Sequence, residues 1–135
     1  MIVLDNDILV KLGGTDYDEE VVSHLQRYSH EEWTIPAIVA FEFYKSCDSR
    51  AEIQRARQRL TSAIDRIVDF THDTAVEAAY LDELLSVQGV SLAPADVLNL
   101  ATAYEAGGTF VTPTKNDFDK APLREIADVD VVLTS

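Results

Sequence analysis

The sequence predicts an α/β protein, a three-layer α/β/α fold around a mainly parallel central sheet, and three observations carry that prediction. The chain opens on Met1 to Leu4, an uninterrupted apolar run with β-branched members, which suits a strand covered on both faces. Strand-like runs then alternate with stretches of helical period, without an internal repeat. With 135 residues, 47% of them hydrophobic, and only 5 Gly and 4 Pro, residues 1–135 form a single domain large enough to bury a core.

The elements follow in order. Lys11 to Asp18, with Gly13 and Gly14, reads as a loop. YDEEVVSHLQRYS carries Val21, Val22, Leu25 and Tyr28 at helical spacing, with acids early and Arg27 late, as the helix dipole favours. WTIPAIV reads as a brief strand passing into a helix with Pro36 near its first turn, and AFEFYKSC continues that helix. From Ser49 to about Ile67, Ile53, Ala56, Leu60, Ala63, Ile64 and Ile67 fall on one side of an amphipathic helix. IVDF is a short strand. A helix follows, capped by Thr71 or Asp73 and stopped at Gly89. VSLAPADVLNLATAYEAGG is an extended lead, a helix opening near Pro94 and a stop at Gly107-Gly108; TFVT is a strand, PTKNDFDKAP a loop and VDVVLT a final strand.

Composition narrows the function. No run approaches the roughly 20 apolar residues of a membrane span, and the start lacks the basic and small-residue features of a signal peptide. A cytoplasmic protein with no membrane partner is expected. A lone cysteine, Cys47, makes no internal disulfide, in keeping with a reducing compartment. The net charge of −13 opposes nucleic acid at low salt, unless the acids are a solvating surface of the kind suited to high salt or a basic partner covers them. Lys45, Arg50, Arg55, Arg57 and Arg59 form the one basic stretch, either a phosphate contact or a solvated helix face.

Acids stand at four element boundaries or early helical turns: Asp5 with Asp7, Glu42, Asp96, and Asp117 with Asp119. In a parallel sheet with right-handed crossovers, strand carboxyl ends and the helix starts after them share one edge, so all four groups can converge there. Clustered carboxylates repel unless a hard cation neutralises them, and Mg²⁺ or Mn²⁺ prefers such oxygens. Taken singly, Asp5 also reads as a cap, Asp96 as a partner for its helix dipole and Asp117 as a turn residue. Glu42 sits in the apolar string IVAFEFY, where an unpaired charge facing the core is costly. No GxGxxG or P-loop occurs, and His24, His30 and His72 lack metal-ligand spacing and receive no role.

At these residues the chain resembles the PIN-domain ribonucleases of the VapC toxin type. MIVLDNDILVKL is similar to their opening motif, IPAIVAFEFYKS to their second, and GVSLAPADVLNLATAYEAGGTFVTPTKNDF to their third and fourth. The resemblance spans most of the chain in order. It implies a metal-dependent endoribonuclease whose Asp5, Glu42, Asp96 and Asp117 are catalytic and hold Mg²⁺ or Mn²⁺. It also implies an RNA substrate, a homodimer and neutralisation by a cognate antitoxin. Two departures stand out: Asp7 occupies a position where the family usually has Asn or Ser, and Thr114 one where it often has Asn or Asp, so the fourth acid comes from Asp117, directly or through water, or is absent. Thr112 is implied as the hydroxyl that orients a carboxylate. The helix at Ala51 to Arg59 lies where such proteins offer a groove to the antitoxin, with its apolar face expected to help form the groove and Lys45, Arg50 and Arg55 to touch RNA or acidic partner residues.

Two rivals remain open. Asp5 and Asp7 also fit the DxD start of haloacid-dehalogenase-type phosphatases, with Asp5 as nucleophile and Asp7 as acid/base, though that fold is usually longer and leaves Glu42 and Asp96 unused. A non-catalytic PIN-like interaction domain would use the acids structurally.

Overall fold

The computed structural model describes residues 1–12, 16–113 and 121–132, except the side chains of Ala121 and Arg124. Its five strands are β1 (Ile2–Leu4), β2 (Trp33–Pro36), β3 (Arg66–Val68), β4 (Thr109–Pro113) and β5 (Val129–Val132). They pair in the order β3-β2-β1-β4-β5, every pairing parallel. All carboxyl ends therefore share one edge. The chain moves outward from β1 through β2 and β3, then returns to β1's other side at β4, so the crevice between β1 and β4 is where such sheets take ligands.

Helices cover both faces. Alternation along β1 sends Ile2 and Leu4 into a cluster with Val21, Leu25, Ile35, Leu60 and Val111, while Val3 enters another with Leu85, Leu100, Phe110 and Leu123. This is the three-layer α/β/α arrangement the strand and helix pattern predicts. The helices are α1 (Asn6–Leu9), α2 (Glu19–Leu25), α3 (Ala37–Tyr44), α4 (Arg50–Ala63), α5 (His72–Val87), α6 (Pro94–Ala106) and α7 (Ala121–Ile126). Their ends obey local rules. Asp18 and Ser49 cap α2 and α4, Thr71 caps α5 in a reciprocal box with Thr74, Pro94 opens α6, and Gly107 closes it with a φ of 75°. Among the described residues no helix is long and apolar enough to cross a membrane.

Four expectations need correction. The segment after β1 is α1 followed by a 3₁₀ turn at Val10–Leu12, so Lys11 belongs to that turn rather than a loop and is buried, 3.5 Å from Asp16 Oδ2. The helix from Ser49 stops at Ala63: Ile64 is extended at φ −124° and ψ 156°, and Ile67 lies in β3 opposite Ile35. Its two isoleucines continue the helical period in sequence while Ile64 belongs to the turn into the sheet and Ile67 to the strand itself. Glu42 and Lys45 lie in the last turn and at the end of the short α3 rather than early in it. Pro122, expected in the loop, is in α7; residues 114–120 of that loop, and Leu133 to Ser135 after β5, lie outside the described residues.

Candidate active site

Asp5 follows the last residue of β1 at the crevice. Its extended backbone ends the strand, and its carbonyl accepts from Ile8 and Leu9 to start α1 at once. One carboxylate oxygen accepts from the Asn6 backbone N–H at 2.7 Å and the other from the Thr112 hydroxyl at 2.8 Å. Thr112 is fully buried in β4, the strand beside β1, and Asp5 itself is 5% exposed. A buried carboxylate is thus held in one orientation by donors from two elements. Asp7, one residue into the same first turn, is half-buried.

Glu42 and Asp96 arrive from the helices after β2 and before β4. α3 packs against both α1 and α6, which carries Glu42 to the edge where Asp5 sits. Asp96 lies in the first turn of α6, where the helix dipole favours a carboxylate. Its carboxyl is nevertheless pushed up to about 6, first by burial and then by the negative charges of Asp5, Glu42 and Asp7. Asp96 therefore feels three acids that lie up to 91 positions away in the sequence. Asp117, Asp119 and Thr114 lie outside the described residues.

The donor set is chemically that of Mg²⁺ or Mn²⁺, being carboxylate oxygen with amide oxygen nearby. The buried Oδ1 atoms of Asn6 and Asn99 lack partners among the described residues, and Asn99 Nδ2 stands 3.5 Å from Glu42 Oε1. Residues of this kind fit such a cation. As placed, however, no three acidic, His or Cys side chains among the described residues could hold one ion together. The convergence is electrostatic rather than a formed cage. Asn99 was not among the residues singled out in the sequence, although a polar residue three positions after Asp96 in the apolar run VLNLATA was a signal for it.

Two other regions depart from expectation. The apolar face of α4 does not form an open groove: Ala56 and Leu60 are buried, Leu60 in the main core cluster. Its opposite face is exposed and basic, with a shallow groove lined by Arg55, Gln58, Arg59 and Ser62. His24, given no role, lies with Nε2 2.8 Å from Asp130 Oδ2, and the Tyr28 hydroxyl donates to the same oxygen at 2.5 Å. Burial would raise the Asp130 carboxyl, but the Tyr28 and His24 hydrogen bonds outweigh it and hold it below its ordinary value. The trio ties the end of α2 and the 3₁₀ turn at Gln26–Tyr28 to strand β5.

Comparison with known proteins places this geometry. Curated proteins give no match. Among solved structures, VapBC2 from Rickettsia felis, bound to a DNA fragment from their promoter, aligns over 100% of both chains at 18% identity with a TM-score of 0.73. FitAcB from Neisseria gonorrhoeae aligns over 97% of this chain and 96% of that one at 24% identity, TM-score 0.71. VapBC-1 from nontypeable Haemophilus influenzae aligns over 97% and 98% at 16% identity, TM-score 0.73. At such identities these likenesses speak to the fold. The sequence profile of the PIN domain matches residues 2–123, nearly the whole chain, and the protein belongs to the PIN domain family.

Proposed function

We propose that this chain is a Mg²⁺- or Mn²⁺-dependent endoribonuclease, the toxin of a toxin–antitoxin pair, working in the cytoplasm as a homodimer. PIN domains are a nuclease family, and the observation that carries the reading is the convergence of Asp5, Asp7, Glu42 and Asp96 on the carboxyl edge of the sheet. Asp5, Glu42 and Asp96, joined by Asp117, would hold the cation, with Asp7 and Thr114 as further neighbours. When bound there, it would activate water and offset charge on a phosphodiester.

The chain's own residues support the rest. Thr112 and the Asn6 N–H fix Asp5. Phe41, next to Glu42, is 64% exposed with the Lys45 ammonium 5.9 Å over its ring, an aromatic face and a cation suited to an unpaired nucleotide. A toxin–antitoxin complex from Klebsiella pneumoniae shares the fold at 21% identity and a TM-score of 0.70, which supports an antitoxin partner. A protein partner is also supported by α5, whose outward face exposes Val76, Tyr80, Leu84 and Val87 while Ala78, Leu81 and Leu85 are buried behind them.

Incubating the protein with total RNA and Mn²⁺ or Mg²⁺, at low and molar salt, beside a folded Asp96→Asn variant, tests the reading. Defined fragments from wild type alone are expected. Intact RNA under every condition, with metal bound and a partner co-purifying, would favour the non-catalytic interaction domain. Hydrolysis of a small aryl phosphate, abolished by Asp7→Asn, would favour the phosphatase.

A further inference from the structure

We propose that Asn99 is a positioning residue of the acidic site, setting the Glu42 carboxylate and leaving its own carbonyl oxygen open to a donor that arrives with a divalent cation; the inference takes the cation site of the proposed function as its premise. Asn99 is 1% exposed, on the turn of α6 that follows Asp96, among Val97, Leu100 and Ala101, all buried. Nothing in that environment needs an amide. Asparagine is a poor helix former, and its buried polar atoms cost stability when they lack partners.

The two ends of the side chain are not equivalent. Nδ2 faces Glu42 Oε1 at 3.5 Å, long for a hydrogen bond but correctly signed, since the flipped amide would set its oxygen against a carboxylate. Oδ1, buried, has no partner among the described residues. An amide that donates to one proposed cation ligand and keeps an empty acceptor beside it does little for the fold. It suits a site completed by something from solution, and the same amide restrains Glu42 against the repulsion of Asp5 and Asp96. Partners of this kind around metal-binding carboxylates commonly matter to affinity nearly as much as the ligands.

The test is calorimetric titration of the metal-free protein with Mn²⁺, paired with urea unfolding, on wild type, Asn99→Leu, Glu42→Gln and the double variant. Asn99→Leu is expected to keep or raise the unfolding midpoint while weakening Mn²⁺ binding about tenfold, and to add under about twofold once Glu42 is Gln. A lowered midpoint with unchanged Mn²⁺ affinity would make Asn99 a structural residue and overturn the proposal. So would an equal loss of affinity in both Glu42 backgrounds, because the residue would then not act through Glu42. Asn99→Ala is carried alongside in case leucine overpacks; loss of folding in both variants also overturns the proposal. The two readings separate cleanly. Wild type that binds Mn²⁺ but leaves RNA intact ends the nuclease reading alone, Asn99→Leu that binds Mn²⁺ normally beside a cleaving wild type ends this one alone, and wild type that binds no Mn²⁺ ends both.

Discussion

Removing the Asp96 carboxylate should make the metal-free protein more stable even as it destroys the site. Asp96 titrates near 6 rather than 3.8, because burial and then Asp5, Glu42 and Asp7 disfavour its charge. A rise of roughly two units corresponds to about 3 kcal/mol for a fully enclosed group, at about 1.4 kcal/mol per unit. Asp96 is only half-buried and solvent screens its neighbours, so about 1 kcal/mol is the usable figure. An acid whose folded pKa lies above its unfolded value costs nothing while both states are protonated, and its full cost is present above the folded pKa. Asp96→Asn should therefore gain about 1 kcal/mol over wild type at pH 7.5, close to 3 °C in Tm for a chain of this size. That gain should shrink through the window between pH 6 and 4. Thermal and urea unfolding of both proteins with chelator present, at pH 7.5 and 4.5, measure the difference with all other titrations common to both. Saturating Mn²⁺ should reverse the order, since it stabilises the form that binds it. Equal stability at pH 7.5, or a gap independent of pH, would refute the claim that these four acids share one crevice.

Other consequences are simpler to state. Thr112→Val removes the buried donor to Asp5 and should weaken Mn²⁺ binding about tenfold by titration, with Thr112→Ser retaining it. Asp130→Asn should cost about 1–2 kcal/mol at pH 7 in urea unfolding; because the folded Asp130 pKa is depressed, that deficit is present above pH 4 and closes as pH falls through the lower folded value. Gly108→Ala places a Cβ 2.9 Å from Val3 Cγ2 in a filled core, so a loss of about 1–3 kcal/mol is expected, measurable as a lower denaturation midpoint at unchanged slope. If RNA is the substrate, cleavage should rise from low to moderate salt before falling, since screening relieves the repulsion of a chain at −13 before it weakens contacts to the exposed arginines of α4.

The fold was legible wherever local chemistry and tertiary structure agree. β1, the Pro94 start of α6 and its Gly107 stop are written in residue types whose backbone preferences coincide with the topology. The acids were legible for a related reason: parallel topology alone sends strand ends and helix starts to one edge, so Asp5, Glu42 and Asp96 could be grouped before any distance was known. What escaped the sequence depended on partners far along the chain. Asp130 meets His24 and Tyr28 across separations of 106 and 102 residues, and no spacing rule reaches so far. Asn99 was hidden differently, in an alanine-rich helix where a lone amide reads as an imperfection until Glu42 is placed beside it. At α4, Ala56 and Leu60 of the face that resembled a partner groove are buried, because amphipathicity reports that a face is covered and not what covers it.

The two edges of the sheet treat polar groups differently. Along the amino edge several polar groups find complements: the Met1 ammonium meets Glu31 at 2.8 Å and Arg66 meets Glu32 at 3.1 Å. There too, Asp65 accepts from the Trp33 N–H at 2.8 Å, and the Thr109 hydroxyl donates to Asp128 at 2.6 Å. Exposed pairs of this kind are each worth under about 1 kcal/mol. At the carboxyl edge the pattern differs: burial and then the negative charges of Asp5, Glu42 and Asp7 raise the proton affinity of Asp96, and the buried Oδ1 atoms of Asn6 and Asn99 lack partners among the described residues. Acids gathered where the strand order reverses are the kind of local inconsistency expected of a functional site, and a cation is the species that would offset the excess of negative oxygen in one step.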